Sequence, residues 1–131
     1  MFKHSKMINS LFMISILFAM QLNAGELTAK SVIGTWYEKN NSGSEVTTFL
    51  SDGTWTAKVT YLDLFSNTKK TATINGTWKI VNDNLVKTIT WAKEKKLKGK
   101  AITYKITSVT ENKISFKEDG KQGKMQRLKD K

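Results

Sequence analysis

An all-β fold, an antiparallel up-and-down meander of eight strands closed into a barrel, is what this chain predicts, and three observations predict it. The tripeptide Gly-Thr-Trp occurs at Gly34–Trp36, Gly53–Trp55 and Gly76–Trp78, and a spacing of roughly twenty residues is what a strand, a turn, a return strand and a second turn consume. Thr, Val, Ile and aromatic residues dominate a chain that contains no proline. Turn signals recur at Asn40-Asn41-Ser42-Gly43, Ser51-Asp52-Gly53, Asn82-Asp83-Asn84, Glu111-Asn112 and Asp119-Gly120.

The elements follow in order. Lys3, His4 and Lys6 form a basic head, Met7 to Leu22 is an apolar run, and Leu22-Asn23-Ala24 offers a cleavage site before Gly25. That order is the pattern of a secretory signal peptide over residues 1–24, with an uncleaved membrane anchor as the alternative. No cysteine follows the run, so lipidation at a lipobox is excluded and the expected location is periplasmic or secreted. After cleavage nothing in the chain is expected to span a membrane. The expected domain is 25–131.

A short helical turn is expected over Leu27 to Val32, then strands near 33–39, 45–50, 54–62, 70–81, 85–92, 101–109, 113–118 and 124–129. Alternation is clearest in the third and sixth. Trp55, Ala57, Val59 and Tyr61 share one face there, while Thr54, Thr56, Lys58 and Thr60 share the other; Ile102, Tyr104 and Ile106 oppose Thr103, Lys105 and Thr107. A sheet with one dry face and no helices to cover it is most simply satisfied by rolling up. With no cysteine the domain has to hold together by packing and hydrogen bonds alone.

Gly34-Thr35-Trp36 after a short helical turn, on the first strand of an eight-strand meander, resembles the Gly-x-Trp opening of the lipocalin-like domains of the calycin superfamily. In that superfamily a basic residue of the last strand lies over the first-strand tryptophan, and Arg127, the only arginine after the apolar run, stands where the resemblance requires it. The resemblance implies a small bacterial lipocalin-like barrel that binds a small hydrophobic or amphiphilic molecule. The longer second motif of large lipocalins and a C-terminal helix after Leu128 are not found. Avidins open similarly, but their later tryptophan pattern is not matched by Trp78 and Trp91.

In a meander, odd and even strands run in opposite directions, so position within a strand reports which end of the barrel a residue occupies. Trp36, Trp55, Trp78 and Arg127 all fall at one end, the expected structural base. Tyr61, Leu62, Leu64, Phe65, Trp91, Ile102 and Phe116 fall at or toward the other. Lys69, Lys70, Lys93, Lys95, Lys96, Lys98, Lys100, Lys121 and Lys124 are expected in or beside the loops of that mouth. Formal charge is +11 for the whole chain, and losing Lys3 and Lys6 leaves a net +9, so anionic partners are favoured.

The expected ligand site is therefore Tyr61, Phe65, Trp91, Tyr104 and Phe116, with Lys93 and Lys96 for an acidic head group. The alternative is a filled barrel whose basic rim docks on an anionic protein, polysaccharide or membrane surface. Nucleic acid is disfavoured by the export signal. No catalytic residue is expected: the single histidine, His4, leaves with the leader, and no thiol exists. No metal site and no cofactor are expected either, because Asp52, Asp63, Asp83, Glu118 and Asp119 are scattered and read as turn residues.

Overall fold

The structure, a computed structural model, describes residues 26–129; the expected leader, 1–24, lies outside the described residues. A single turn of helix, α1 (Ala29–Val32), precedes the sheet. Thr28 caps it: its hydroxyl accepts from the backbone N–H of Ser31 at 3.2 Å, and the Ser31 hydroxyl accepts from the N–H of Thr28 at 2.9 Å. This reciprocal pair satisfies two donors that a helix start leaves free.

Eight strands follow: β1 (Gly34–Asn40), β2 (Gly43–Phe49), β3 (Thr54–Asp63), β4 (Thr68–Val81), β5 (Asn84–Trp91), β6 (Ala101–Val109), β7 (Lys113–Glu118) and β8 (Lys121–Arg127). Each pairs antiparallel with the next, and β8 returns to β1 to close the barrel. The seam is short, with Trp36 opposite Arg127 and Tyr37 opposite Gln126. A single 3₁₀ turn, Lys95–Leu97, lies in the long β5–β6 loop.

The strand count and order agree with the sequence reading, and most differences lie at strand ends. β2 starts at Gly43 and β8 at Lys121, two and three residues earlier than expected, because the preceding turns are tight. Asp119 and Gly120 both take positive φ, 50° and 79°, the geometry of a two-residue hairpin turn that lets the strands begin at once. Asp52 does behave as a turn residue, its carboxylate accepting from the backbone N–H and hydroxyl of Thr54 at 3.0 and 2.6 Å. Glu118 does not: it is the last residue of β7.

The core fills the base end. Val32, Trp36, Phe49, Trp55, Leu85, Val109, Ile114 and Met125 are buried together. The repeats meet physically there, since Trp55 stands opposite Gly76 and Thr54 opposite Thr77 in the β3–β4 register. A β-carbon on Gly76 would collide with the carbonyl of Thr88 and the Trp55 indole, so this glycine makes room for the ring. The β4–β5 register slips at the same point, between Asn75 and Gly76, as a bulge at a close backbone approach does.

Candidate functional site

The base is closed by hydrogen bonds as well as packing. The Arg127 guanidinium lies 4.3 Å from the centre of the Trp36 indole and donates to three carbonyls, those of Glu111 at 2.7 Å, Ile33 at 2.8 Å and Ser31 at 3.1 Å. One planar fork thus ties the β7 turn, the end of α1 and the start of β1 together. Gly34, with φ of 134°, is where that fork passes: a β-carbon there would strike Nη1 of Arg127. The glycine and the tryptophan of the motif therefore serve one arginine. Three indoles donate to backbone carbonyls, Trp36 to Val32 at 2.7 Å, Trp55 to Thr77 at 2.9 Å and Trp78 to Leu50 at 3.1 Å.

Above this floor the barrel is filled by an ionic centre. Lys87 points inward from the middle of β5 and is only 2% exposed. Its ammonium donates to Glu45 Oε2 at 3.0 Å, and the Thr47 hydroxyl donates to the same oxygen at 2.6 Å. The ammonium also sits 4.4 Å from the Trp55 ring centre, 5.5 Å from Tyr104 and 5.8 Å from Phe49. Aromatic faces thus replace the water that burial removes.

Glu45 stands opposite Glu38 across β1 and β2. Burial and the neighbouring Glu45 charge push the Glu38 carboxyl up to about 7, against the opposing pull of Lys87. Burial alone would raise Glu45 too, but the Lys87 charge and the hydrogen bonds from Thr47 and Lys87 outweigh it and hold that carboxyl below its ordinary value. The Tyr104 phenol is raised by burial and by the carboxylates of Glu45, Glu38 and Glu118. The gap left among Trp36, Glu38, Glu45, Thr47, Phe49, Lys87 and Met125 is about 10 Å³, no more than the room of one water.

The mouth is different. Tyr61 (39%), Leu62 (47%), Leu64 (82%), Phe65 (104%) and Trp91 (53%) are exposed there. Lys69, Lys70, Lys93, Lys95, Lys96, Lys98, Lys100 and Lys121 are exposed with them. Among the described residues the only ion pairs they make are Lys70 to Asp63 at 2.6 Å and Lys96 to Glu94 at 3.6 Å. Beside the rim, a cleft of about 350 Å³ runs between the β1–β2 turn and the β3–β4 hairpin, lined by Tyr37, Lys39, Thr60, Tyr61, Leu62 and Lys69 among others. A wider hollow of about 680 Å³ on the outer face of β6, β7, β8 and β1 shares Tyr37 and Lys39 and adds Lys124, Gln122 and Gln126.

Of the expected ligand residues, Tyr61, Phe65, Trp91, Lys93 and Lys96 reach the surface at the mouth. Tyr104 and Phe116 do not. They are 4% and 2% exposed and pack edge to face with centres 4.8 Å apart. Phe116 sits mid-strand against Gly123, where an added β-carbon would come within 2.8 Å of its ring, so it plugs the lumen. Lys124 likewise lies mid-strand opposite Ser115, on the outer hollow.

Sequence reasoning missed Lys87, Glu45 and Glu38, and also Tyr37 and Lys39. The signal for the first was present: Lys87 occupies the inward phase of β5, between Leu85 and Ile89, and Glu38 and Glu45 hold the inward phases set by Trp36 and Phe49. Charged residues at core phases of facing strands mark an internal pair.

No protein-family model matches the chain, and no curated protein matches it. Among solved structures it is similar to a lipocalin-like protein from Bacteroides uniformis, with a TM-score of 0.50 and 13% identity over 75% of this chain and 99% of that one. The fold is lipocalin-like. An uncharacterized protein from Bacteroides eggerthii is also similar, with a TM-score of 0.47 and 15% identity over 74% of this chain and 99% of that one. Among the described residues no helix is long and apolar enough to cross a membrane.

Proposed function

We propose that this chain is an exported, non-enzymatic binding protein whose ligand is a small amphiphile with an acidic group, held at the mouth of the barrel. The observation that carries the reading is the clustering at the mouth of the most exposed apolar side chains with a ring of lysines. Tyr61, Leu62 and Trp91 offer apolar surface, and Lys39, Lys69, Lys93 and Lys96 offer charge. An acyl or isoprenoid portion lying on the first set gains about 25 cal/mol per Å² buried, and the lysines add on-rate and salt sensitivity.

The filled lumen sharpens the location. With about 10 Å³ free around Lys87 a tail has no deep channel, and Glu38, Glu45 and Glu118 would repel an acidic group from the interior. The head therefore stays on the lysine rim and the tail lies across the apolar side chains of the mouth, Tyr61, Leu62 and Trp91. The same filled lumen favours a second reading, a barrel that acts through its basic rim on an anionic surface or protein.

Titration of residues 25–131 with long-chain fatty acids and lysophospholipids, followed by tryptophan emission and thermal stability, tests the first reading. Saturable changes at micromolar ligand that disappear in Trp91→Ala are expected. No response to any amphiphile, together with salt-dependent retention on anionic beads, would leave only the second. Native mass spectrometry of the exported protein should show a copurified acidic lipid.

A further inference from the structure

We propose that the tip of the β3–β4 hairpin is a bilayer-insertion element, and that it seats the mouth of the barrel on an anionic membrane surface. The hairpin is the longest among the described residues, paired from Thr54–Thr77 to Asp63–Thr68. β5 accompanies β4 only as far as Asn75 opposite Trp91, so residues 68–74 run on beyond it for roughly 20 Å at about 3.3 Å per residue. On the other side β2 ends with Gly43 opposite Tyr61. Residues 70–74 are therefore a free sheet edge backed by β3 and β2, and only the tip, residues 62–69, extends beyond both neighbouring strands.

At that tip are the two most exposed large apolar side chains among the described residues, Leu64 at 82% and Phe65 at 104%. Phe65 contacts essentially nothing in its own molecule. The turn that presents them is nevertheless built, not slack: the Asp63 carboxylate accepts from the Phe65 N–H at 2.9 Å and pairs with Lys70 at 2.6 Å, and Ser66 and Thr68 hydroxyls join at 2.7 Å. A rigid turn that holds a phenyl ring and an isobutyl group in water has ordered them for something outside the chain.

Charge decides the occupant. Lys69 and Lys70 flank the tip, and the β5–β6 loop at the same pole adds Lys93, Lys95, Lys96 and Lys98. Apolar side chains leading and ammonium groups behind them is the order in which a bilayer presents its own layers, acyl chains beneath anionic head groups. Each lysine brought to such a surface contributes about 1 kcal/mol, near a fivefold gain in affinity. This inference shares the lysine rim with the proposed function but rests on Leu64 and Phe65, which that reading does not need.

The test is sedimentation of residues 25–131, which carry the whole closed barrel, with phosphatidylcholine vesicles containing or lacking about one-third phosphatidylglycerol. Binding to the anionic vesicles is expected, falling with added salt and at least about tenfold weaker without phosphatidylglycerol. The double variant Leu64→Asp/Phe65→Asp should lose at least about tenfold more, because it removes the apolar anchor and reverses the local charge. Phe65→Trp in a Trp91→Phe background should show, over that background, emission shifted to the blue and quenched by brominated acyl chains only on anionic vesicles.

The tip substitutions lie on a solvent-exposed turn, so far-ultraviolet circular dichroism should be unchanged. Undiminished binding by the double aspartate variant, or an unquenched tryptophan at position 65, would overturn the inference; so would wild-type protein that ignores anionic vesicles at low salt, including the case in which the tip instead captures a protein. Titration of the same double variant with monomeric lysophospholipid separates the two proposals, since amphiphile binding at Trp91 should survive loss of the tip.

Discussion

At the base of the barrel, Arg127 donates to three carbonyls while lying over Trp36, and the indoles of Trp36, Trp55 and Trp78 each find a backbone acceptor. At the mouth, Trp91 is half exposed and makes no indole hydrogen bond among the described residues, and most lysines have no carboxylate partner there. The same residue types, tryptophan and a long cation, thus occur at both poles with opposite degrees of satisfaction. Groups whose hydrogen bonds are met internally hold the fold, and groups left unmet are available to something else. The exposed Leu50, Val81 and Leu128 at the base end stand in separate turns or strand ends, and the exposed lysines there, Lys30, Lys79, Lys113 and Lys129, are fewer than the eight at the mouth.

The contrast breaks most directly by comparing two tryptophans. Trp36→Ala removes a ring that is 1% exposed and should cost about 3–5 kcal/mol by denaturant unfolding. Trp91→Ala should change stability by no more than about 0.5 kcal/mol while abolishing the emission response to amphiphiles. The opposite ranking would mean that the poles have been assigned the wrong way round. Arg127→Lys keeps the charge but cannot serve three carbonyls at once, and a loss of about 1.5–3 kcal/mol is expected.

A second test addresses the layer between the poles. Lys87→Met leaves Glu45 facing aromatic rings without its partner and should destabilise by about 3 kcal/mol at neutral pH. Adding Glu45→Gln removes the stranded charge and should restore much of that loss. Additive single effects in this double-mutant cycle would show that the two groups act independently despite their 3.0 Å contact.

What was legible in the sequence divides along the same line. The base could be read because its message is steric and repeated: a glycine beside each of three tryptophans and one late arginine, all at positions that the meander places at one end. Strand order could be read because Asn-Asp and Asp-Gly turns punctuate an alternating pattern. The middle could not, because Lys87, Glu38 and Glu45 look like ordinary surface residues until their phase within each strand is followed past the apolar neighbours. Tyr104, expected to line a tail's path into the barrel, and Phe116, expected at the mouth, are buried for a related reason. How far neighbouring side chains fill the lumen depends on packing across it, which no single strand records.

The middle layer also makes the molecule respond to pH. The Glu38 carboxyl, raised to about 7 in the fold from an ordinary 4.5, keeps a proton across a window in which the unfolded chain has released it. Stability should therefore fall as pH rises from about 5 to 7 and level off above. Glu45 has the opposite sign: held low by Lys87 and Thr47 after burial is overcome, it contributes stability that disappears as pH drops through its folded value. Glu38→Gln should flatten the decline between pH 5 and 7 and leave the acid limb unchanged, measured as the denaturant midpoint across that range. A decline that persists in the variant would place its origin elsewhere, with Glu118, also raised by burial and by Asp119, the next group to replace.

The smallest effects on the fold are expected where the proposed binding is concentrated. Lys93→Ala and Lys96→Ala remove exposed cations, one unpaired and one 3.6 Å from the exposed Glu94, so each should change stability by less than about 0.5 kcal/mol. Affinity for an acidic amphiphile, in contrast, should fall in both, and its dependence on salt should become shallower, because fewer ions are exchanged when the ligand arrives. A neutral amphiphile of equal chain length makes the comparison decisive. If the lysines hold the head group, the variants lose discrimination between the two ligands while apolar affinity stays the same; if both ligands weaken equally, the loop acts through the position of Trp91 and not through its charge.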